Sequence, residues 1–369
     1  MKNILRVAVC ISVAAVALAA APPAKLTGGH GTLYIGGWPN KIFIVDEATE
    51  KVTGTIEVTT GAPKGLTLSK DRRRVYLVNS MSEQVEILDL AAKRSLDHFT
   101  LSEGRKKVFV RGLIPDPLDR FVIMLVKSAD KKVDRFEIGA PTLIVYDLKE
   151  HKIARTIPWP NNEEREFVSI MMSPDGKLLY LFADDVLIYD TTEFKQVDTW
   201  ELSRPIEEGL ARFDFGPRDV TFEEPGFYSG IFQMMDPVQN RRIMGIARVN
   251  LNAKSMEFWA LGPARQVGFS LAPDRKRAYG LLQDIAHYEF WTFDLEHHKL
   301  GPRREFPGRP RMALRTSSNG KVLYIYQAGN TIDLYEADTY TYLRTITLDA
   351  DTTTELLVVP EQAKTTASP

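Results

Sequence analysis

The residues with most chemistry to offer in this chain of 369 are cations that recur along it. Lys64, Lys107, Arg165, Arg218, Arg265 and Arg311, with Arg309 nearby, each stand close to the start of a short apolar run. Lys and Arg gathered at one opening would raise the positive potential there and favour an anionic ligand or an acidic patch on a partner protein. Arg241 and Arg242 follow Met234-Met235-Asp236-Pro237, and Trp38 lies in the turn sequence Gly36-Gly37-Trp38-Pro39-Asn40. Trp, Met and Arg are the types enriched at the centres of protein interfaces, so these loops are candidate contact elements. Asp284, His287 and Glu289 come nearest to a metal-binding set, but one short loop without a fourth ligand is not expected to hold an ion. No Gly-x-Ser-x-Gly elbow, His-Glu-x-x-His pair or phosphate-cradling glycine loop is present. The expectation is a protein that binds, with no catalytic residue, no metal and no cofactor of its own.

The elements that position these residues show in a repeat. Asp46, Asp89, Asp147, Asp190, Asn250, Asp294 and Glu336 each end an apolar run and precede a polar turn and another short run. Four of the six intervals fall near 43 residues, and the two longer ones, before Asp147 and Asn250, are taken to carry insertions. A period in the low forties marks a unit of four short strands that cannot bury its apolar face alone. The second unit is the clearest: Gly65–Ser69, Arg74–Asn79, Val85–Asp89 and Arg94–Thr100 are expected strands, separated by short turns. Turns such as Ser173-Pro174-Asp175-Gly176 recur at matching places, and the acid closing each third strand is expected to cap the turn after it. The first unit opens at its second strand, Thr32–Ile35, so its missing strand should come from Glu355–Val359. The expected fold is all-β: a seven-bladed β-propeller of four-stranded antiparallel blades, closed by C-terminal strand pairing into the first blade.

The ends read differently. Lys2 and Arg6 precede the apolar run Val7–Ala19, and Ala17-Leu18-Ala19 fits the small-x-small rule, so residues 1–19 are expected to be a cleaved secretory signal. That run is shorter than the roughly 20 residues a membrane span needs, and no membrane insertion is expected after cleavage. Residues 20–30 form a lead-in, 31–360 the propeller, and 361–369 a loose tail. The only cysteine, Cys10, lies in the signal. A mature chain without cysteine has no disulfide, no thiolate metal site and no Cys-x-x-Cys-His haem attachment. Net charge is −1 overall, and without a basic stripe no nucleic-acid partner is expected. The location implied is periplasmic or secreted.

Arg74-Val75-Tyr76-Leu77-Val78-Asn79, Val85-Glu86-Ile87-Leu88-Asp89-Leu90 and Ser173-Pro174-Asp175-Gly176-Lys177 resemble the YVTN (tyrosine-valine-threonine-asparagine) family of propeller repeats. From about Gly31 to Pro360 the chain also resembles the beta subunit of quinohemoprotein amine dehydrogenase. That likeness is carried by Phe136-Glu137-Ile138 with Thr142–Asp147, by Gly268–Pro273 with Tyr279-Gly280, and by the placing of the two insertions. It implies a platform subunit, with haem and quinone borne by partner subunits and no cofactor-bearing residue on this chain. Three functions follow as expectations: a secreted, non-catalytic propeller binding a partner protein or ligand at the channel mouth; the platform of an amine dehydrogenase-like complex; and, with least behind it, a stand-alone hydrolase such as a lactonase. The third would need Glu, Asp, Asn or His converging on the channel, where cations stand instead.

Overall fold

The computed structural model describes residues 25–361, except 160–163, 167, 184, 202–212, 220, 237, 285–286 and 327–328. The expected signal, the start of the lead-in and nearly all of the expected tail lie outside the described residues. Blade 1 is built from β1 (Thr32–Gly37), β2 (Lys41–Asp46) and β3 (Lys51–Glu57). Blade 2 follows as β4 (Pro63–Leu68), β5 (Arg74–Asn79), β6 (Gln84–Asp89) and β7 (Arg94–Thr100). Blade 3 holds β8 (Lys106–Pro115), β9 (Phe121–Lys131), β10 (Phe136–Ile138), β11 (Thr142–Asp147) and β12 (Lys152–Ile157). Blade 4 is β13 (Ser169–Met172), β14 (Leu178–Phe182), β15 (Val186–Asp190) and β16 (Gln196–Trp200). Blade 5 is β17 (Phe213–Arg218), β18 (Phe227–Asp236), β19 (Arg241–Asn250) and β20 (Ser255–Pro263). Blade 6 is β21 (Ser270–Leu271), β22 (Arg277–Asp284), β23 (His287–Asp294) and β24 (Lys299–Glu305). Blade 7 is β25 (Ala313–Thr316), β26 (Val322–Tyr326), β27 (Thr331–Glu336) and β28 (Tyr342–Thr347), and β29 (Leu357–Val359) returns to blade 1.

The ring closes as expected: β29 pairs antiparallel with β1, Leu33 opposite Val358, to give the order β29-β1-β2-β3. All seven sheets are antiparallel; blades 2, 4, 5, 6 and 7 run in chain order from the innermost strand outward, blade 1 takes β29 as its innermost strand, and blade 3 departs from four strands by adding β10. Period-two alternation sends neighbours on one strand into different seams. Leu33, Phe43 and Val45 pack towards Tyr324, Leu334 and Leu356 of blade 7 and its return segment. Tyr34, Ile42 and Ile44 pack towards Val75, Leu77 and Leu88 of blade 2. The core therefore sits between blades, which is why no single repeat could stand alone.

The capping role read for the repeated acids holds. Asp46 accepts the amide of Thr49 at 2.7 Å, Asp89 that of Ala92 at 2.8 Å, Asp147 that of Glu150 at 2.8 Å and Asp190 that of Glu193 at 2.7 Å. Asn250 and Asp294 do the same for Ala253 and His297. Glu336 differs, taking the Thr339 hydroxyl through its longer side chain. Four residues after each of the seven stands a non-glycine residue in the left-handed region: Glu50, Lys93, His151, Phe194, Lys254, His298 and Tyr340, with φ between 50° and 59°. The acid ties down the turn's amides, and the left-handed residue turns the chain into the outer strand.

Buried carboxylates hold blades to one another. Glu86 accepts the amides of Thr59 and Thr60 at the joint of blades 1 and 2. Asp219, 2 % exposed, accepts the Ser270 hydroxyl at 2.8 Å, and Ser270 in turn accepts the Thr316 amide at 3.0 Å. One chain of bonds thus links blades 5, 6 and 7. Each buried charge is offset by several donors, as a carboxylate away from water requires.

Candidate binding face

In antiparallel blades of this order, the turn between second and third strands and the connection into the next innermost strand share one face of the ring. The other two turns of each blade lie on the opposite face. The first face is where the structure places the candidate loops. Trp38 is 59 % exposed in the β1–β2 turn, and Met81, 64 % exposed, occupies the matching turn of blade 2. Blade 3 extends furthest: the upper half of β9 pairs with β8 on one edge and with β10 on the other. Val133, Phe136 and Ile138 at this extension are exposed. In blade 5 the long hairpin of β18 and β19 carries Met235 and Val238 outward, while Met234 points into the core at 2 % exposure. Other exposed large apolar side chains among the described residues lie elsewhere. Leu118 is on the opposite face, and Val52, Leu96, Ile153, Val197 and Tyr342 are on outermost strands.

The cations are placed as follows. Lys64 is the second residue of β4 and donates to Ser82 Oγ at 2.9 Å. Lys107 is the second residue of β8 and pairs with Glu83 at 2.9 Å. Arg165 lies half-buried in the lead to β13. Arg265 precedes β21 and lies 3.4 Å from Asp284. Arg309 and Arg311 precede β25; Arg309 reaches Thr331 and lies 3.8 Å from Asp333, and Arg311 is exposed with φ of 61°. Arg218 is a correction: it is the last residue of β17, not near its start, with Gly230 as its register partner. The sequence offset misled because β17 pairs irregularly between Phe215 and Arg218. Arg241 and Arg242 open β19, and Arg242 lies 3.3 Å from Asp214. Lys41–Asp349 at 2.7 Å and the contact of Lys127 with Glu166 add to the same face. The mouth is thus set with ion pairs, whose fields cancel at distance; exposed pairs of this kind contribute little to stability.

Asp284, His287 and Glu289 do not converge. Asp284 and His287 close the β22–β23 turn as register partners, but Asp284 turns to Arg265. Glu289 accepts the indole N–H of Trp291 at 2.8 Å and lies 3.9 Å from His287. Among the described residues no group of three His, Cys, Asp or Glu side chains is placed to hold a metal ion. Glu289 instead lines a cavity of about 350 Å³ between blades 5 and 6, with Arg265 and Arg303. Sequence reasoning missed this cavity and Met81. Arg303 is set in an outer strand of ordinary polar character, and nothing local marks it as facing Trp291.

No protein-family model matches the chain. Antigen Lp49 of Leptospira interrogans is 27% identical over 157 residues, which is 40% of this chain and 30% of the antigen. The match thus spans less than a third of that relative's length. Several solved structures share the fold at low identity. A functionally unknown protein from Desulfotomaculum acetoxidans superposes with a TM-score of 0.57 at 12% identity, covering 90% of this chain and 100% of that one. Apo AztD from Citrobacter koseri gives 0.54 at 12% identity over 90% and 98%. The periplasmic gluconolactonase PpgL of Pseudomonas aeruginosa gives 0.54 at 13% identity over 89% and 99%. At these identities the likeness is one of fold, and one fold serves many functions.

Proposed function

We propose that this propeller is a non-catalytic docking module, secreted or periplasmic, that binds a partner protein on the face carrying the β1–β2, β9–β11 and β18–β19 loops. The observation that carries this reading is the gathering of exposed Trp38, Met81, Phe136, Ile138 and Met235 on that face, amid ion pairs. Large apolar anchors rimmed by polar groups are what protein interfaces are made from. The rim pairs would set register and exclude wrong partners rather than supply affinity. A finer reading, resting on the family likeness, makes the partner a haem- and quinone-bearing assembly for which this chain is the platform. The hydrolase alternative has less behind it: the connections into the innermost strands carry Lys and Arg, and the acids near them are engaged by those cations or by Trp291.

The test uses the mature chain as bait in extract from its own source, beside the double variant Trp38→Asp, Phe136→Asp. Both side chains are exposed, so the variant should melt within about 1 °C of the parent, since surface changes stay within roughly 0.5 kcal/mol. The proposal expects a discrete stoichiometric partner that the variant fails to retain. Haem absorbance in the retained fraction supports the finer reading. If no partner is lost by the variant, the docking face is wrong.

A further inference from the structure

The cavity between blades 5 and 6 has features that protein docking does not use. Its apolar walls are Met244, Leu261 and Pro263 from one blade and Trp291 and Leu300 from the other. Its polar groups are few and close together: the Arg265 and Arg303 guanidinium groups and the Glu289 carboxylate. About 350 Å³ lies within the range of small-ligand pockets, roughly 300–1,000 Å³, which are mostly apolar with a few convergent polar groups.

The state of the two arginines decides what the cavity would take. Arg303 Nε lies 3.8 Å from Glu289, and its guanidinium sits over the Trp291 ring at 5.1 Å from the centroid. Arg265 Nη2 lies 3.4 Å from Asp284. Charge-assisted hydrogen bonds close to about 2.7–2.9 Å, so both contacts are loose. Each guanidinium has five N–H donors, and most of them are not engaged by any neighbour among the described residues. Glu289 is held in place by the Trp291 indole, with its side chain only 15 % exposed. A fixed carboxylate beside two arginines leaves a net of one positive charge, and none once Asp284 is counted. A dianionic phosphate would be repelled by both acids, whereas a planar monoanion matches a guanidinium fork.

We infer that this cavity is a binding site for a small organic carboxylate with an apolar, preferably aromatic, body. The carboxylate sits against Arg265 and Arg303, and the body lies along Trp291, Leu261 and Met244. This site shares Arg265 with the docking face but uses none of its exposed apolar anchors.

Titration of the mature chain with phenylacetate, followed by calorimetry and by the emission of Trp291 against a Trp291→Phe control, tests the inference. Saturable one-site binding is expected, with the neutral analogue 2-phenylethanol and the cation 2-phenylethylammonium each at least about tenfold weaker, as loss of a charge-assisted bond implies. Arg303→Gln and Arg265→Gln should each weaken phenylacetate about tenfold. Arg303→Lys should fall between parent and Arg303→Gln, because it keeps charge and loses the fork. Leu261→Trp should fill the space and abolish binding, with the fold checked by circular dichroism; should that variant not fold, the two Gln variants still decide. Equal affinity for phenylacetate and 2-phenylethanol, tighter binding of inorganic phosphate, or unchanged binding by both Gln variants would overturn the inference.

Discussion

Tyr324 of blade 7 donates its hydroxyl to Glu47 of blade 1 at 2.8 Å, across 277 residues of chain. The same carboxylate accepts the amides of Gly31 at 2.8 Å and Ser318 at 2.9 Å. Glu47 is fully buried, and its charge is offset by four donors when the Ser318 hydroxyl is included. Gly28 lies so near that a Cβ there would meet the Tyr324 oxygen at 1.8 Å. The lead-in, blade 1 and blade 7 are thus fastened at one carboxylate, apart from the β29–β1 pairing on the same seam.

Glu47→Ala should therefore destabilise by about 3 kcal/mol or more, since removing one member of a buried charged network strands the others. Tyr324→Phe should cost less, about 1–2 kcal/mol, because one donor is lost and three remain. Urea denaturation of both variants checks this order. A Glu47→Ala variant within 1 kcal/mol of the parent would show that strand pairing alone closes the ring.

The turn geometry gives a stabilising prediction. Lys93 and Lys254 hold φ of 53° without glycine's freedom, which costs an L-residue roughly 1 kcal/mol. Both are exposed. Lys93→Gly and Lys254→Gly should each be neutral to stabilising, up to about 1 kcal/mol before the extra entropy of the unfolded glycine is set against it. Asp89→Ala, which removes the cap four residues earlier, should lower the melting temperature. Calorimetry on the three variants checks the contrast, and a large loss from either glycine would contradict it.

Acid should weaken the fold through identified groups. Hydrogen bonds from Thr49 hold Asp46 below its ordinary 3.8, and the amides of Ala92, Glu150 and Glu193 do so for Asp89, Asp147 and Asp190. Burial works against charge at Glu50, yet bonds from Arg344 and Lys25 outweigh it and bring the group below 4.5. With folded values depressed, the folded chain binds fewer protons than the unfolded one just below these ordinary values. The stabilisation is complete above about pH 5 and is lost as pH falls through the depressed values. Urea midpoints measured from pH 6 down to pH 3 should decline, and Glu50→Gln should flatten part of that slope.

Alkali acts on other side chains. Burial pushes the Tyr76, Tyr189 and Tyr279 hydroxyls up from 10.0 to about 12. A raised folded value keeps the proton on the folded chain, so stability is full below pH 10 and is lost as pH rises towards 12. Ultraviolet titration should show part of the tyrosine absorbance change delayed beyond pH 11 and appearing with unfolding. Ionisation of every tyrosine near pH 10 in the folded protein would contradict the burial of these rings.

Much of the fold was legible because it rests on local chemistry repeated seven times. Asp89 ends a strand wherever the ring lies, because its partner Ala92 is three residues away. The edges of β5 and β7 fall where alternation and turn residues put them, and Leu357–Val359 pairs with blade 1 because an unpaired strand edge needs a partner. Arg218 was misplaced because its position depends on an irregular pairing that no local pattern announces. The apolar face was half legible: Trp38 shows in its turn, but Met81 looks like any loop methionine until the ring aligns it with Phe136 and Met235.

Blade number, the turns that shape each blade and the latch strand were written in the chain, since these follow from nearest-neighbour rules of backbone and side chain. Tertiary structure alone decided which charges face each other and which seam stays open. Arg303 and Trp291 pair across neighbouring strands, whereas Met244 and Trp291 come to the same cavity from different blades. Such convergence depends on how adjacent sheets are set against one another, and that is fixed by the packing of the whole ring rather than by spacing along the chain.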